Sequence, residues 1–398
     1  MNIKDDVGGC YGASKTKITV SGSDVDIQYY TDTQPWTMGG QQVKVVENNE
    51  HLGQIVSGTR QEGKNVDARI SKARNAIFSL LGPGFSYKCQ LSPILKLHLY
   101  RTFVCPVLRS GISTFVLTKT LMEPLNVFQR KVLKGILKVS NQASTSALYF
   151  LTGELPIEAK IHKDIYSLFF SVWLNPNTKI YSIIKYILKN TNNMSRTWSN
   201  YVRYLCKQYG FEDPSSWLQS DPPKKSIFKT DIDIRIRAYH ENELRLKATN
   251  SEKLKYFNVS LLGLSGQPHP ALSNLINTVE VKKSRSHLKM LIGDFYTYEV
   301  KSKQSGGLSH CRVCCGNEEI SDNFTRPPES ICHILAICHA YSDIRNRIIK
   351  QYKQLCSDIT SVLNFNLILS DSELLCQFIL DPTSINLPEW INPNDPLS

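Results

Sequence analysis

Residues 122–138 have the sequence MEPLNVFQRKVLKGILK. Apolar residues recur in it every three or four positions, a spacing that places them on one face of an α-helix. These residues are Met122, Leu125, Phe128, Val132 and Ile136. A row of cations, Arg130, Lys134 and Lys138, recurs at every fourth position beside them. The stretch therefore predicts an amphipathic helix with an apolar face and a basic face.

Two helices of the same kind are predicted before it. The first begins near Glu62, ends at Gly82-Pro83-Gly84 and leaves Arg69 and Lys72 off its apolar stripe. That stripe consists of Val66, Ile70, Ala73, Ile77 and Leu80. The second begins with Ser92 as cap and Pro93 in its first turn, and must end by Pro106. Its apolar stripe consists of Leu95, Leu99 and Phe103.

The rest of the chain completes a mainly α prediction with a small N-terminal β region. Short β-branched or Tyr-rich runs, at 18–20, 25–33 and 43–56, predict strands, and Gly39-Gly40 predicts a hairpin turn. Residues 145–255 are predicted to be helical, with a proline-containing linker at 213–225. Their aromatic residues between 166 and 204 have helical spacing, which favours a core position over a base-stacking surface.

The amino-acid composition limits the classes of protein to which the chain can belong. The 398 residues include 41% hydrophobic residues, enough for folded cores, and no apolar run long enough to span a bilayer. No secretion leader is expected, so the eleven cysteines are predicted to stay reduced in the nucleus or cytoplasm. The composition does not indicate an oligomeric state.

Charge placement predicts the partner. The net charge is +12, and residues 60–140 contain fourteen Lys or Arg against three acidic residues, between acidic ends. A basic segment of this kind favours RNA or DNA as partner and gives no reason to expect a membrane. The candidate nucleic-acid-binding residues are Lys64, Arg69, Lys72, Lys96, Arg101, Arg130, Lys131, Lys134 and Lys138.

Cysteine and histidine residues cluster near the C-terminus. Cys311-x2-Cys314 is followed by His333-x4-Cys338, a donor set and spacing that predict a structural Zn²⁺ site. Alternative ligands are His310, Cys315, Cys332 and His339. On an ideal α-helix, two side chains five residues apart, such as His333 and Cys338, point about 140° away from each other. Cys338 is therefore expected at or beyond a helix end.

Three of these features together resemble the C-terminal half of a non-LTR (LINE-type, jockey-like) retrotransposon reverse transcriptase. They are the turn His51-Leu52-Gly53, the three basic helices and the Cys-Cys-His-Cys pattern followed by Tyr341 and Arg345. Ser14-Lys15-Thr16-Lys17-Ile18 is similar to the family's Lys-Thr stretch. The resemblance covers roughly residues 10–150 and 305–350 and implies a residual palm edge, 1–60, a basic helical thumb-like bundle, 61–150, and a zinc knuckle, 305–350. A helical middle region, 151–304, and an acidic C-terminal tail, 351–398, complete the predicted organisation.

The departures from the family concern catalysis. The family's aromatic-x-Asp-Asp turn, which binds two metal ions, is absent; Asp5-Asp6 lacks the preceding strand and Asp32 lacks a second carboxylate. His51 replaces the usual aromatic residue. We therefore expect a truncated protein that binds nucleic acid and zinc but has no catalytic residues for polymerisation. The alternative is a zinc-stabilised protein-interaction module whose basic helices are merely solvated.

Overall fold

The computed structural model describes residues 16–20, 28–29, 36–38, 41–58, 61–85, 91–190, 196–259, 262–273, 278–297, 299, 301, 306, 309–315, 327–355 and 368–381. The protein is mostly helical with a small N-terminal strand region, as the sequence predicts. Asp5, Asp6, Ser14, Lys15, Asp32, Gly39 and Gly40 lie outside the described residues. None of the described helices has the length and apolar composition needed to cross a membrane.

Within the described residues, the strands form three two-stranded pairs. Their bounds are Lys17–Ile18 (β1), Thr37–Met38 (β2), Gln41–Gln42 (β3), Lys44–Val45 (β4), Asn48–His51 (β5) and Gln54–Ser57 (β6). β1 pairs with β4 in parallel, and β2–β3 and β5–β6 are antiparallel. Leu52 and Gly53 connect β5 to β6 with positive φ angles of 49° and 77°, so this turn is a tight hairpin. Gln28 and Tyr29, the two described residues of the predicted strand 25–33, are helical, so that prediction is wrong there.

The α-helices follow from α1 to α15. Their bounds are Gln61–Leu80 (α1), Pro93–Leu99 (α2), Cys105–Arg109 (α3), Lys119–Leu137 (α4), Thr145–Thr152 (α5), Ile157–Trp173 (α6), Lys179–Asn190 (α7), Trp198–Gln208 (α8), Pro214–Trp217 (α9), Lys225–Thr249 (α10), Pro270–Ser273 (α11), Thr278–Leu291 (α12), Arg312–Cys315 (α13), Ser342–Leu355 (α14) and Ser372–Leu380 (α15).

The chain divides into two compact units. The first comprises residues 1–86, 98–129 and 156–239, and the second comprises residues 87–97, 130–155 and 240–398. Neither unit is one continuous stretch, and each draws on several of the segments predicted from sequence.

The second predicted helix differs from its prediction. Leu95 and Phe103, predicted to be apolar-face residues, are 44% and 51% exposed. The buried residues are instead Leu97, Tyr100, Val104 and Leu108. The segment has apolar residues on two faces of the helix, so periodicity alone led to the wrong face being predicted as buried.

Pro106 does not end the helical path. A π-helical turn spans Tyr100–Val104, in which the Cys105 N–H donates to the Tyr100 carbonyl five residues earlier. Proline has no N–H to donate and its ring clashes with a carbonyl of the preceding turn. The wider turn removes that conflict, so α3 begins with Pro106 in its first turn and extends to Arg109.

Helices α1 and α4 agree more closely with the sequence. All five apolar residues predicted for α4, from Met122 to Ile136, are buried. In α1, Val66, Ile70 and Ala73 are buried as predicted, but Arg69, predicted to lie off the stripe, is only 8% exposed. Its guanidinium donates to the carbonyl of Gly53, so burial is compensated by a hydrogen bond to the β5–β6 turn.

An aromatic core occupies the first unit. On α6, Tyr166, Phe169, Phe170 and Trp173 are buried, which confirms their predicted core position. The predicted linker 213–225 is wrong, because α9 within it carries Trp217 into this core. The Trp217 ring lies 5.6–6.3 Å, centroid to centroid, from five others: Tyr166, Phe169, Trp173, Phe211 and Phe228.

Candidate metal centre

Four donor side chains converge in the second unit. The ligand atoms of Cys311, Cys314, His333 and Cys338 all lie within 4.8 Å of one another. Cys311 Sγ is 3.9 Å from Cys338 Sγ, and Cys314 Sγ is 3.4 Å from His333 Nε2. The structure therefore brings together the complete ligand set predicted from sequence, and this Cys₃His group could hold a metal ion.

The first ligand pair sits at the start of a short helix. Cys311 immediately precedes α13, and Cys314 lies on it, so one tight turn aims both thiols the same way. The Cys311 N–H donates to the Pro327 carbonyl at 3.4 Å, and the Glu329 N–H donates to the Ser309 carbonyl at 2.8 Å. These backbone bonds connect the chain around the first ligand pair to the chain leading to the second.

A π-helical turn positions the second ligand pair. His333 begins the turn His333–Ile337, and the N–H of Cys338 donates to the His333 carbonyl at 2.6 Å. Because a π turn closes over five residues instead of four, the two side chains can converge where an ideal α-helix would separate them. Cys338 lies immediately after the turn with an extended ψ of 119°, which confirms the prediction that it falls beyond a helix end.

Two further side chains hold this second pair in place. Ser330 Oγ accepts a hydrogen bond from the His333 N–H at 3.0 Å. Arg345, on α14, donates from Nε to the Leu335 carbonyl at 2.9 Å and from Nη2 to the Cys338 carbonyl at 2.8 Å. Neither role was predicted from the sequence, although Arg345 follows Cys338 by about two helical turns, a spacing at which an Arg on the next helix can reach back.

Burial sets the protonation of the metal-free ligands. It raises the pKa of the Cys311 thiol and lowers the pKa of the His333 imidazole. Burial therefore favours the neutral form of this imidazole, whose Nε2 faces Cys314 and whose Nδ1 is buried without a hydrogen-bond partner among the described residues. Metal binding to this site would release thiol protons.

The alternative ligands lie elsewhere. Cys332 Sγ donates to the Ser372 carbonyl at 3.4 Å, and burial raises its pKa beside Glu373. His339 is exposed, and His310 is buried on the bridge to Pro328. None of these three belongs to the four-residue cluster among the described residues. The side chain of Cys315 lies outside the described residues.

The predicted basic residues of the first helix are largely engaged within the protein. Lys64 Nζ lies 2.6 Å from Glu47 Oε1 and 2.8 Å from Ser57 Oγ, and Lys72 Nζ lies 2.6 Å from Glu50 Oε1. These bonds hold the helix against the strand segment that precedes it. Arg69, already described, is buried.

The remaining candidates differ in exposure. Lys96 is 1% exposed, so it lies in the interior of the protein. Lys134 donates to the Asn141 carbonyl at 2.6 Å, and burial lowers its pKa, with Arg130 adding to the effect. Arg101, Arg130 and Lys138 are half-buried, and Lys131 is exposed. Lys138, just past the end of α4, has a φ of 56°.

Comparison with known proteins adds nothing to this description. The chain matches no protein-family model, no curated protein and no solved structure. The function is therefore inferred from the Cys₃His cluster and from the surfaces of the chain itself.

Proposed function

We propose that the protein binds RNA or DNA and carries a structural zinc knuckle, and that it is related to the C-terminal part of a non-LTR retrotransposon reverse transcriptase. The observation that carries the proposal is the geometry of the Cys₃His cluster. The proposal also assigns the chain no polymerase activity of its own, because its sequence contains no aromatic-x-Asp-Asp turn.

The donor set and its spacing fit zinc. With Zn–S near 2.3 Å and Zn–N near 2.05 Å, a tetrahedral site has S···S edges of about 3.8 Å and S···N edges of about 3.6 Å. The 3.9 Å and 3.4 Å separations found here match those edges closely. Three thiolates and one imidazole fill all four positions, which is typical of a structural site that leaves no position open for substrate.

Exposed cations next to the cluster support nucleic-acid binding. Helix α14 begins four residues after Cys338 and presents Arg347, Lys350 and Lys353 to solvent. None of the three forms an ion pair within the described residues. Among the predicted basic residues, exposed Lys131 and half-buried Arg101, Arg130, Lys134 and Lys138 remain candidates. Arg69 and Lys96 are assigned to the interior instead.

Metal analysis and binding titration test this proposal. The purified protein is expected to contain about one zinc per chain and to bind RNA or DNA with an affinity that falls steeply with salt. Replacing Arg347, Lys350 and Lys353 by Ala is expected to reduce the log–log salt slope by roughly two to three. Absence of zinc, or an unchanged slope in the triple variant, would contradict the respective half of the proposal.

A second candidate function, the zinc-stabilised protein-interaction module, is favoured by one observation. An apolar groove of about 420 Å³ lies between α14 and α15, lined by Ile334, Ile344, Ile348, Leu375 and Ile379 among others. Ile344 and Ile348 are 51% and 49% exposed. If Ile348→Asp left nucleic-acid binding intact but abolished a protein contact, this candidate would take precedence for that face.

A further inference from the structure

One stretch of the first unit is basic and contains no carboxylate. Between Asp164 and Glu212, the chain has six Lys or Arg residues and no Asp or Glu. This stretch includes helices α7 and α8, which contact each other. The six cations are Lys179, Lys185, Lys189, Arg196, Arg203 and Lys207.

Five of these cations are available to an external anion. Lys179, Lys185, Lys189, Arg196 and Lys207 are exposed, and none forms an ion pair within the described part of the chain. Lys185 lies 5.5 Å from the Tyr181 ring centroid, a contact that leaves its charge uncompensated. They differ in this respect from Lys64 and Lys72 of α1, whose charges are already matched by Glu47 and Glu50. A free cation can bind phosphate without first breaking an internal ion pair.

The sixth cation organises the pair of helices. Arg203 of α8 donates to the Leu188 carbonyl near the end of α7 and pairs with Asp213 Oδ2 at 2.7 Å. Ile184 and Leu188 of α7 and Val202 and Leu205 of α8 are buried. The two helices are therefore fixed to each other by one arginine and by their apolar faces, which leaves their other faces to solvent.

Two aromatic rings lie on the exposed faces. Tyr186 on α7 is 68% exposed and Tyr204 on α8 is 54% exposed. The Tyr204 ring stacks on Tyr201 with 6.3 Å between centroids and 8° between planes, which holds it in a defined orientation. Both rings depart from the core position predicted for the aromatic residues of this region.

We propose that the exposed faces of α7 and α8 form a second nucleic-acid site, specific for single strands. The five cations would neutralise phosphates, and Tyr186 and Tyr204 would stack on unpaired bases, the combination by which proteins hold single strands without sequence preference. A duplex keeps its bases stacked inside and cannot use the tyrosines. Among the described residues of α7, α8 and the chain between them, two exposed aliphatic side chains, Ile180 and Ile183, accompany the five cations, which favours a polyanion over a lipid bilayer.

Fluorescence anisotropy with the full-length protein tests the site. The probes are labelled oligo(U) RNA and oligo(dT) DNA of about 16 nucleotides, and a duplex of equal length. Lys185→Ala/Lys189→Ala is expected to weaken single-strand binding roughly 10- to 30-fold and to lower the salt slope by about 1.4. Tyr186→Ala is expected to weaken it roughly 5- to 100-fold without changing the slope, and Tyr186→Phe is expected to preserve it.

The matched control removes the same charge elsewhere. Lys229→Ala/Lys247→Ala changes two exposed lysines of α10, and Lys247 is already paired with Glu243 at 2.8 Å. It is expected to leave affinity within about twofold. The site contains no ligand of the Cys₃His cluster, so single-strand binding through it should persist after zinc chelation. The α7–α8 site and the zinc knuckle can therefore be tested independently of each other.

Three results would overturn the inference. One is an effect of Lys185→Ala/Lys189→Ala no larger than that of the control. Another is duplex binding as tight as single-strand binding and equally sensitive to Tyr186→Ala. The third is binding to phosphatidylserine-containing vesicles with no binding to either oligonucleotide, which would assign the face to a membrane surface instead.

Discussion

The aromatic core of the first unit and the Cys₃His segment of the second are stabilised by different means. Trp217 and the five aromatic rings around it pack with centroid separations near 6 Å, and buried aromatic area of this extent needs no added ligand. Around Cys338, few large apolar side chains are buried, and the chain consists of short turns joined by four polar side chains. The first region is therefore expected to fold on its own packing, and the second to depend on a metal.

The comparison also explains where the sequence prediction was accurate. Ligand spacing is a local property of the chain, so the metal cluster could be predicted from four residues. The aromatic core is assembled from α6, α8, α9 and α10, so its most connected member, Trp217, was hidden in a segment that resembled a linker. Four variants test whether the first region is stabilised by its own packing and the second by a metal.

Removing one thiol is expected to disrupt the Cys₃His segment while the aromatic core stays folded. Cys311→Ser is expected to abolish binding of the proposed zinc, with loss of local order in residues 309–315 and 327–345, because structural zinc contributes about 10 kcal/mol or more to folding such segments. Zinc content and limited proteolysis measure the effect. Cys332→Ser is the control and should retain zinc. Equal zinc content in the Cys311 and Cys332 variants would reject the ligand set.

Truncating the central ring should have the converse effect. Trp217→Ala is expected to destabilise the first unit by about 3–5 kcal/mol, because it leaves a cavity among five other rings. Urea unfolding monitored by tryptophan fluorescence measures this change, and zinc content should not alter. Trp217→Phe, the matched variant, should lose less. A cost below about 1 kcal/mol for the alanine variant would show that α9 does not belong to the core.

Loosening the ligand support should weaken the metal site without abolishing it. Arg345→Lys keeps the charge but cannot reproduce both bonds, to the Leu335 and Cys338 carbonyls. Zinc affinity is expected to fall about 10- to 100-fold, the usual effect of losing a residue that orients a ligand. Competition with a chromophoric chelator measures the affinity. Unchanged affinity would mean that the π turn holds Cys338 unaided.

A buried hydrogen bond in the first unit provides the smallest test. His162 Nδ1 and Tyr209 Oη are 2.6 Å apart, and His162 Nε2 lies 3.2 Å from Tyr201 Oη. Tyr209→Phe removes one hydroxyl and with it the buried hydrogen bond to His162, at a cost of about 1 kcal/mol. Urea unfolding of this variant should show that small loss, whereas Tyr204→Phe, on an exposed ring, should show none.

Helix phase shows a further limit of the sequence. For α4, one apolar stripe dominates the pattern, and all five predicted residues are buried. In the segment from α2 to α3, apolar residues lie on two different faces of the helical path. Packing alone selected the face of Leu97, Tyr100 and Leu108 for burial over the face of Leu95 and Phe103. The π turn that lets the helical path continue past Pro106 also depends on the tertiary structure, because a proline by itself predicts the end of a helix.

Charge shows the same division between sequence and structure. Nine cations were predicted to bind nucleic acid because they cluster along the chain, but side-chain position decides whether a charge is free. Lys96 is buried, Arg69 bonds the Gly53 carbonyl, and Lys64 and Lys72 pair with carboxylates contributed by the strand segment. By contrast, the aromatic residues of α7 and α8 were expected in the core, yet these helices present four exposed cations, and Arg196, just before α8, is a fifth; none of the five forms an ion pair within the described part of the chain.

Residue patterns along the chain were enough to predict the mainly helical class, the basic character and the four candidate metal ligands. These follow from periodicity, composition and short-range spacing, which act within one or two turns of chain. The folded structure was needed to show which apolar face is buried, which cations reach solvent and that Trp217 belongs to a core. Those properties depend on contacts between residues far apart in sequence, and local patterns carry no information about such partners.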